Sequence, residues 1–85
     1  MMNRLTRTPR DIRALALCHQ PGAIVLAEQA VDDHAALFVR LEDRLTALDA
    51  LARDLFRIGR AEPALAPFLG QVDAYIGLLQ RPRAA

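Results

Sequence analysis

A repeating apolar pattern between residues 31 and 55 constrains the fold of this chain more than any other feature. Steps of three and four residues separate its members, and such steps place side chains on one face of an α-helix. Further apolar residues at 37, 51 and 58 widen this face to that of a bundle helix. The pattern predicts one long central helix. We call its members the apolar stripe: Val31, His34, Phe38, Leu41, Leu45, Leu48, Ala52 and Leu55.

The ends of this helix follow from its flanking residues. Gly59 is typical of the position just after a helix, so the C-terminal end is predicted there. Two starts remain open. In one, Asp32 or Asp33 acts as an internal N-cap; in the other, the helix runs unbroken over residues 21–58, a rod of about 57 Å at 1.5 Å per residue. Residues 23–27 resemble a short buried strand, but no other segment offers a pairing partner, which favours a helix.

Two shorter helices are predicted on either side of the central one. Thr8 as N-cap and Pro9 in the first turn start an N-terminal helix at about residue 9, and the Gln-Pro-Gly sequence at residues 20–22 stops it. Apolar residues spaced by three and four predict a C-terminal helix over residues 67–80. Gly70 and Gly77 lower the stability of this helix, and close approach of another helix is the physical reason that we expect for them.

The predicted fold class is all-α. The long central helix and the C-terminal helix form an antiparallel helical hairpin, because the connection between them is short, and the short N-terminal helix packs across it. A chain of 85 residues holds one core. The predicted domain organisation is a flexible basic arm at residues 1–8, a single helical domain at 9–80 and a flexible tail at 81–85.

Membrane segments are not expected in this sequence. The first apolar run after the N-terminal arginines ends at His19, and the next one meets Glu28. Neither run reaches the length of a signal-peptide core, and no window reaches the roughly 18–20 apolar residues that span a bilayer. We therefore expect a cytoplasmic protein.

The residue types that carry catalysis or bind metals are few and poorly spaced. A single cysteine, Cys18, excludes an internal disulfide and a multi-cysteine zinc site, and we expect it to be a small buried side chain. His19 and His34 lack the spacing of a helical metal site, and the acidic residues alternate with arginines on a polar face. The sequence therefore predicts no enzyme, no cofactor and no metal site.

The N-terminal arginines raise the question of nucleic-acid binding. Arg7, Arg10 and Arg13 are candidate anion contacts, since arginine binds phosphate independently of sequence. A net charge of +1 is low for a nucleic-acid-binding domain. A small DNA-associated regulator or antitoxin is therefore the alternative hypothesis and not the leading one.

One segment resembles a known family. Residues 53–59 (RDLFRIG), a proline-containing turn, residues 68–71 (FLGQ) and residues 77–79 (GLL) are similar to the small co-chaperones of type III secretion needle subunits. The similarity covers about residues 37–79. It implies a helical hairpin that masks the apolar face of an aggregation-prone partner.

Helix lengths carry the leading functional hypothesis. The apolar stripe is about 39 Å long, whereas the C-terminal helix covers about 21 Å of it, so the N-terminal segments or a second chain must cover the rest. We therefore expect a protein–protein interaction module (an adaptor, co-chaperone or oligomerisation subunit) that binds a protein partner or itself, a homo-oligomer being expected. The candidate partner-binding residues are Val31, Leu37, Phe38, Leu41 and Leu45.

Overall fold

The computed structural model describes residues 4–81 of the chain, and their side chains from residue 8 onward. Over this range the fold is all-α and contains no strand. Four helices follow one another, and a single 3₁₀ turn, Pro63–Leu65, precedes the last. The helices are α1 (Arg4–Cys18), α2 (Ala23–Ala36), α3 (Leu41–Ala61) and α4 (Ala66–Gln80).

The prediction of one long central helix is wrong, because the chain leaves the helical conformation at residues 37–40. Neither of the two predicted starts occurs. The last turn of α2 closes through hydrogen bonds from the Leu37 and Phe38 N–H groups, and Arg40 is extended, with φ −82° and ψ 139°. The Arg44 guanidinium donates to the carbonyl oxygen of Phe38 at 3.0 and 3.3 Å, which satisfies a backbone acceptor that the interruption exposes. The apolar stripe is thus divided between two helices.

The division of the stripe is explained by burial. α4 has 15 residues and is too short to cover an unbroken rod. After the interruption, α2 packs against α1 while α3 packs against α4, and all four helices share one core. Both halves of the stripe therefore reach the interior, which is the outcome that apolar burial favours. The largest fully buried side chains are Ile12, Val31, Leu48, Leu55, Val72 and Ile76.

The first helix is longer than predicted. α1 begins at Arg4 and not at residue 9, so residues 4–8 of the predicted flexible arm are helical, while residues 1–3 lie outside the described part. Thr8 is not an N-cap but a buried residue within α1. The predicted stop is confirmed: α1 ends at Cys18, His19 has a positive φ of 53°, and Gly22 has one of 87°. Only glycine adopts the latter conformation without strain.

In the C-terminal half, the predicted helix is present, but the roles predicted for the glycines are wrong. α4 starts at Ala66, one residue before the predicted start. Gly59 does not stop α3, which continues to Ala61. A Cβ atom added at Gly70 or Gly77 would meet nothing within 4 Å, so the predicted close approach at these two positions is wrong. Arg81 is extended after the helix, and residues 82–85 of the predicted tail lie outside the described residues.

His34 connects α2 to α1 through a polar contact inside the core. Its ring is buried, and its Nδ1 lies 3.4 Å from the hydroxyl of Thr8. The ring of Phe38 meets it edge-on at 5.6 Å between centroids. Burial lowers the pKa of His34, because the charged imidazolium loses its hydration there.

We expect the packing around Leu55 to dominate stability. This side chain is 1% exposed, so Leu55→Ala leaves a cavity and should lower the free energy of unfolding by about 2–5 kcal/mol, measured by urea denaturation. Leu78→Ala is the matched control, since Leu78 is 60% exposed and its truncation should change stability by less than about 0.5 kcal/mol. Equal losses in the two variants would contradict the described core.

We expect the stability of the protein to fall in mild acid because of His34. Below the ordinary histidine pKa of about 6.5, the unfolded chain binds a proton at this residue that the folded chain resists. The free energy of unfolding should therefore decrease as the pH falls from about 7 to 5, and His34→Gln should reduce that decrease. His19→Gln is the control, because His19 is the other histidine and is exposed. A pH dependence that His34→Gln leaves unchanged would refute the assignment.

Candidate functional site

Three large apolar side chains are exposed where α2 gives way to α3. Leu37 is 45% exposed, Val39 90% and Leu41 64%. We call these three residues the linker surface. Isolated exposed apolar residues are ordinary, but three large ones within a five-residue segment mark a candidate interaction site.

A groove adjoins the linker surface at Leu41. Its volume is about 580 Å³, and residues of α2, α3 and α4 together with Arg81 form its walls. Most of its apolar lining belongs to α2 and α3, the two helices that the linker surface joins. We call it the α2–α4 groove; its lining residues are Asp32, Ala35, Ala36, Leu41, Arg44, Leu48, Leu79 and Arg81.

The polar residues of the α2–α4 groove differ in how fully they are paired. Asp32 accepts a hydrogen bond of 2.7 Å from the Tyr75 hydroxyl, and this bond raises the pKa of Tyr75 to about 12. Burial and the negative charge of Asp32 act in the same direction. Arg44 donates to the backbone at Phe38, whereas Arg81 forms no ion pair within the described part of the chain. A hydrogen bond from a neutral hydroxyl does not cancel a carboxylate charge, so the lining carries two guanidinium groups against one carboxylate.

The predicted partner-binding residues have different positions in the fold. Val31 is completely buried, so it contributes to the core and offers no surface to a partner. Phe38 and Leu45 are half-buried, and Leu37 and Leu41 are exposed.

Sequence reasoning missed Val39, the most exposed large apolar residue of the group. A helical projection of the unbroken stripe places it beside Arg40, on the polar side. A β-branched apolar residue on a predicted polar face was the available signal, because such a residue favours extended backbone over helix.

The three arginines predicted as anion contacts are not all available to an anion, because one of them is already paired. The side chain of Arg7 lies outside the described side chains, and Arg10 is exposed. Arg13 forms a two-pronged ion pair with Glu62: its Nη2 donates to Oε1 at 2.8 Å, and its Nε donates to Oε2. The hydrogen bonds of this pair raise the pKa of Arg13 and lower the pKa of Glu62, and the opposite charges act in the same direction. Arg13 is therefore occupied in fixing α1 to the α3–α4 connection.

The residues considered for metal binding and thiol chemistry lie apart. Cys18 is exposed at the end of α1, so the expectation of a buried thiol is wrong; the chain turns there and the side chain misses the core. His19 follows it on the surface, while His34 is buried against Thr8. Within residues 4–81, no group of three or more histidine, cysteine, aspartate or glutamate side chains is arranged to hold a metal ion.

The helices of the described range are also too short or too polar to cross a membrane. Comparison of the chain with models of protein families, with curated proteins and with solved structures gives no match.

Tyr75 gives a direct test of the groove geometry, because it is the one tyrosine of the chain and the chain has no tryptophan. We expect its phenolate absorbance to appear with a midpoint near pH 12, and Asp32→Asn to lower that midpoint toward 10. Asp33→Asn is the control, since it removes the neighbouring exposed carboxylate. Identical titrations of the two variants would contradict the Tyr75–Asp32 contact.

Proposed function

We propose that this protein is a small helical protein–protein interaction module that binds a partner through the linker surface and carries out no catalysis. Its role is that of an adaptor, co-chaperone or assembly subunit. The observation that carries the proposal is the exposure of Leu37, Val39 and Leu41 within the five residues over which α2 gives way to α3. Removing such side chains from water on binding stabilises a complex by about 25 cal/mol for each Å² of apolar surface.

The framework that we propose behind this surface is an antiparallel hairpin of α3 and α4. The two helices pack against each other, and the connection between them, residues 62–65, is short. Short connections favour antiparallel neighbours. The linker surface would then lie at a rigid end of the bundle. Rigidity reduces the conformational entropy that is lost on binding.

The partner that fits this surface has an apolar face flanked by acidic side chains. The linker surface supplies the apolar contact, and the adjoining α2–α4 groove adds the guanidinium groups of Arg44 and Arg81. The single carboxylate of the lining, Asp32, offsets one of these two charges, which leaves one positive charge in excess. Opposite charge at the edge of an interface favours association and its correct orientation.

A crosslinking experiment in cells tests the proposal and isolates the partner in the same step. A photoreactive amino acid at position 39 should form an adduct with one protein, whereas the same group at position 25 should not. Val25 is a matched valine on α2 that is 60% exposed. Equal adducts from both positions, or none from position 39, would contradict the proposal.

Leu41→Asp then separates binding from folding. Leu41 is the first residue of α3, where a carboxylate is favourable, so the fold should keep its stability to within about 0.5 kcal/mol. The affinity for the crosslinked partner should fall about tenfold or more, measured by calorimetry with the purified proteins. Phe38→Asp is less informative, because Phe38 is half-buried against His34 and its loss disturbs the core.

A further inference from the structure

A second groove runs between α3 and α4. Its volume is about 250 Å³, and small residues form much of its floor. It shares no residue with the α2–α4 groove or with the linker surface. We call it the α3–α4 groove; its lining residues are Ala52, Leu55, Phe56, Gly59, Arg60, Ala66, Leu69, Gly70 and Asp73.

An aromatic side chain stands exposed at this groove. Phe56 is 67% exposed, and its ring is contacted from one side by the guanidinium of Arg60 at 5.9 Å. Exposed aromatic residues beside an apolar cavity are typical anchors of protein interfaces, because they bury a large area with few rotatable bonds.

Two opposite charges on the groove walls lack ion-pair partners. Arg60 lies on α3 and Asp73 on α4, and both side chains are exposed. Neither belongs to any of the four ion pairs among the described residues. The groove therefore carries one positive and one negative group that no ion pair among the described residues engages.

The packing of the described residues does not explain the glycine at position 70. A Cβ atom at this position would meet nothing within 4 Å, so the packing of this chain does not require a glycine there. Glycine nonetheless lowers the stability of a helix relative to alanine. Together with Ala66 and Gly59, it leaves part of the groove lining without large side chains.

We propose that the α3–α4 groove is the interface for a second copy of this chain, related by a two-fold axis. Phe56 of each copy packs into the groove of the other, and Arg60 of each copy pairs with Asp73 of the other. A two-fold interface must be complementary to itself. The α3–α4 groove supplies the groups that such an interface needs, because the aromatic anchor, the cavity and both charges line the same groove. The inference goes beyond the proposed function, since it concerns a face separate from the linker surface.

Charge reversal gives a specific test of the two-fold pairing. Arg60→Asp places two carboxylates at each predicted contact of a homodimer, and Asp73→Arg places two guanidinium groups there. Each single variant should therefore be shifted toward monomer, with a dissociation constant raised tenfold or more. An equimolar mixture of the two variants should dimerise again, because a heterodimer then restores a contact between opposite charges.

The measurement is the mass in solution by light scattering, across protein concentration from about 1 μM to 1 mM and with reductant present. The unaltered chain should pass from monomer to dimer, and the mixed variants should do the same. Helical content by circular dichroism should be unchanged in both variants, because the altered side chains are exposed.

Phe56→Asp tests the role of the groove, and Leu78→Asp is its matched control. Both residues are exposed, at 67% and 60%, but only Phe56 lines the groove, so only Phe56→Asp should prevent dimerisation. The proposal is overturned if the unaltered chain stays a monomer throughout, if the mixed variants fail to pair, or if Leu41→Asp abolishes the dimer while Phe56→Asp does not. The last result would place self-association at the linker surface.

Discussion

The structure depends on one constraint: the apolar stripe at residues 31–55 is longer than any single helix of this chain can cover. An 85-residue protein has little apolar surface to spare, and leaving half of a long helical face in water would cost much of its stability. The interruption at residues 37–40 resolves this, because α2 then packs on α1 and α3 on α4 around a shared core. Val39 lies within this interruption, outside the shared core, and is 90% exposed.

Polar contacts join the elements that apolar packing brings together. Thr8 and His34 connect α1 to α2, Tyr75 and Asp32 connect α4 to α2, and the Arg13–Glu62 pair connects α1 to the α3–α4 connection. The distances are 3.4, 2.7 and, for the Nη2–Oε1 bond, 2.8 Å. Directional contacts of this kind add little net stability on a surface, but they favour one arrangement of helices over the alternatives that apolar contact alone permits.

The sequence predicts helices well where their own residues determine them and poorly where tertiary packing does. The all-α class, the stop after Cys18 and the range of α4 follow from periodicity and from local glycine and proline signals. The break at residues 37–40 does not, because the stripe continues through it with unbroken spacing and Val39 is the single local signal against a helix there. Thr8 shows the same limit, since its partner His34 lies 26 residues away and the local pattern indicates a cap.

The sequence predicts the segment in which the candidate site lies, but not which of its residues are exposed. Leu37 and Leu41 follow from the part of the stripe that the C-terminal helix is too short to cover, and both are exposed. The same reasoning includes Val31, yet this residue is buried, because α2 packs against α1 and Val31 lies in the shared core with Ile12 and Ala16. Exposure at a helix break depends on which neighbours are present, and a single sequence does not contain that information.

Cys18 has a consequence for the covalent state of the protein. Its thiol is exposed at the end of α1 and is the one sulfhydryl of the chain. Any disulfide that the protein forms must therefore join two molecules or attach a small thiol. Oxidation would thus produce a covalent pair linked through α1, with the mass of a dimer and no requirement for contact between α3 and α4.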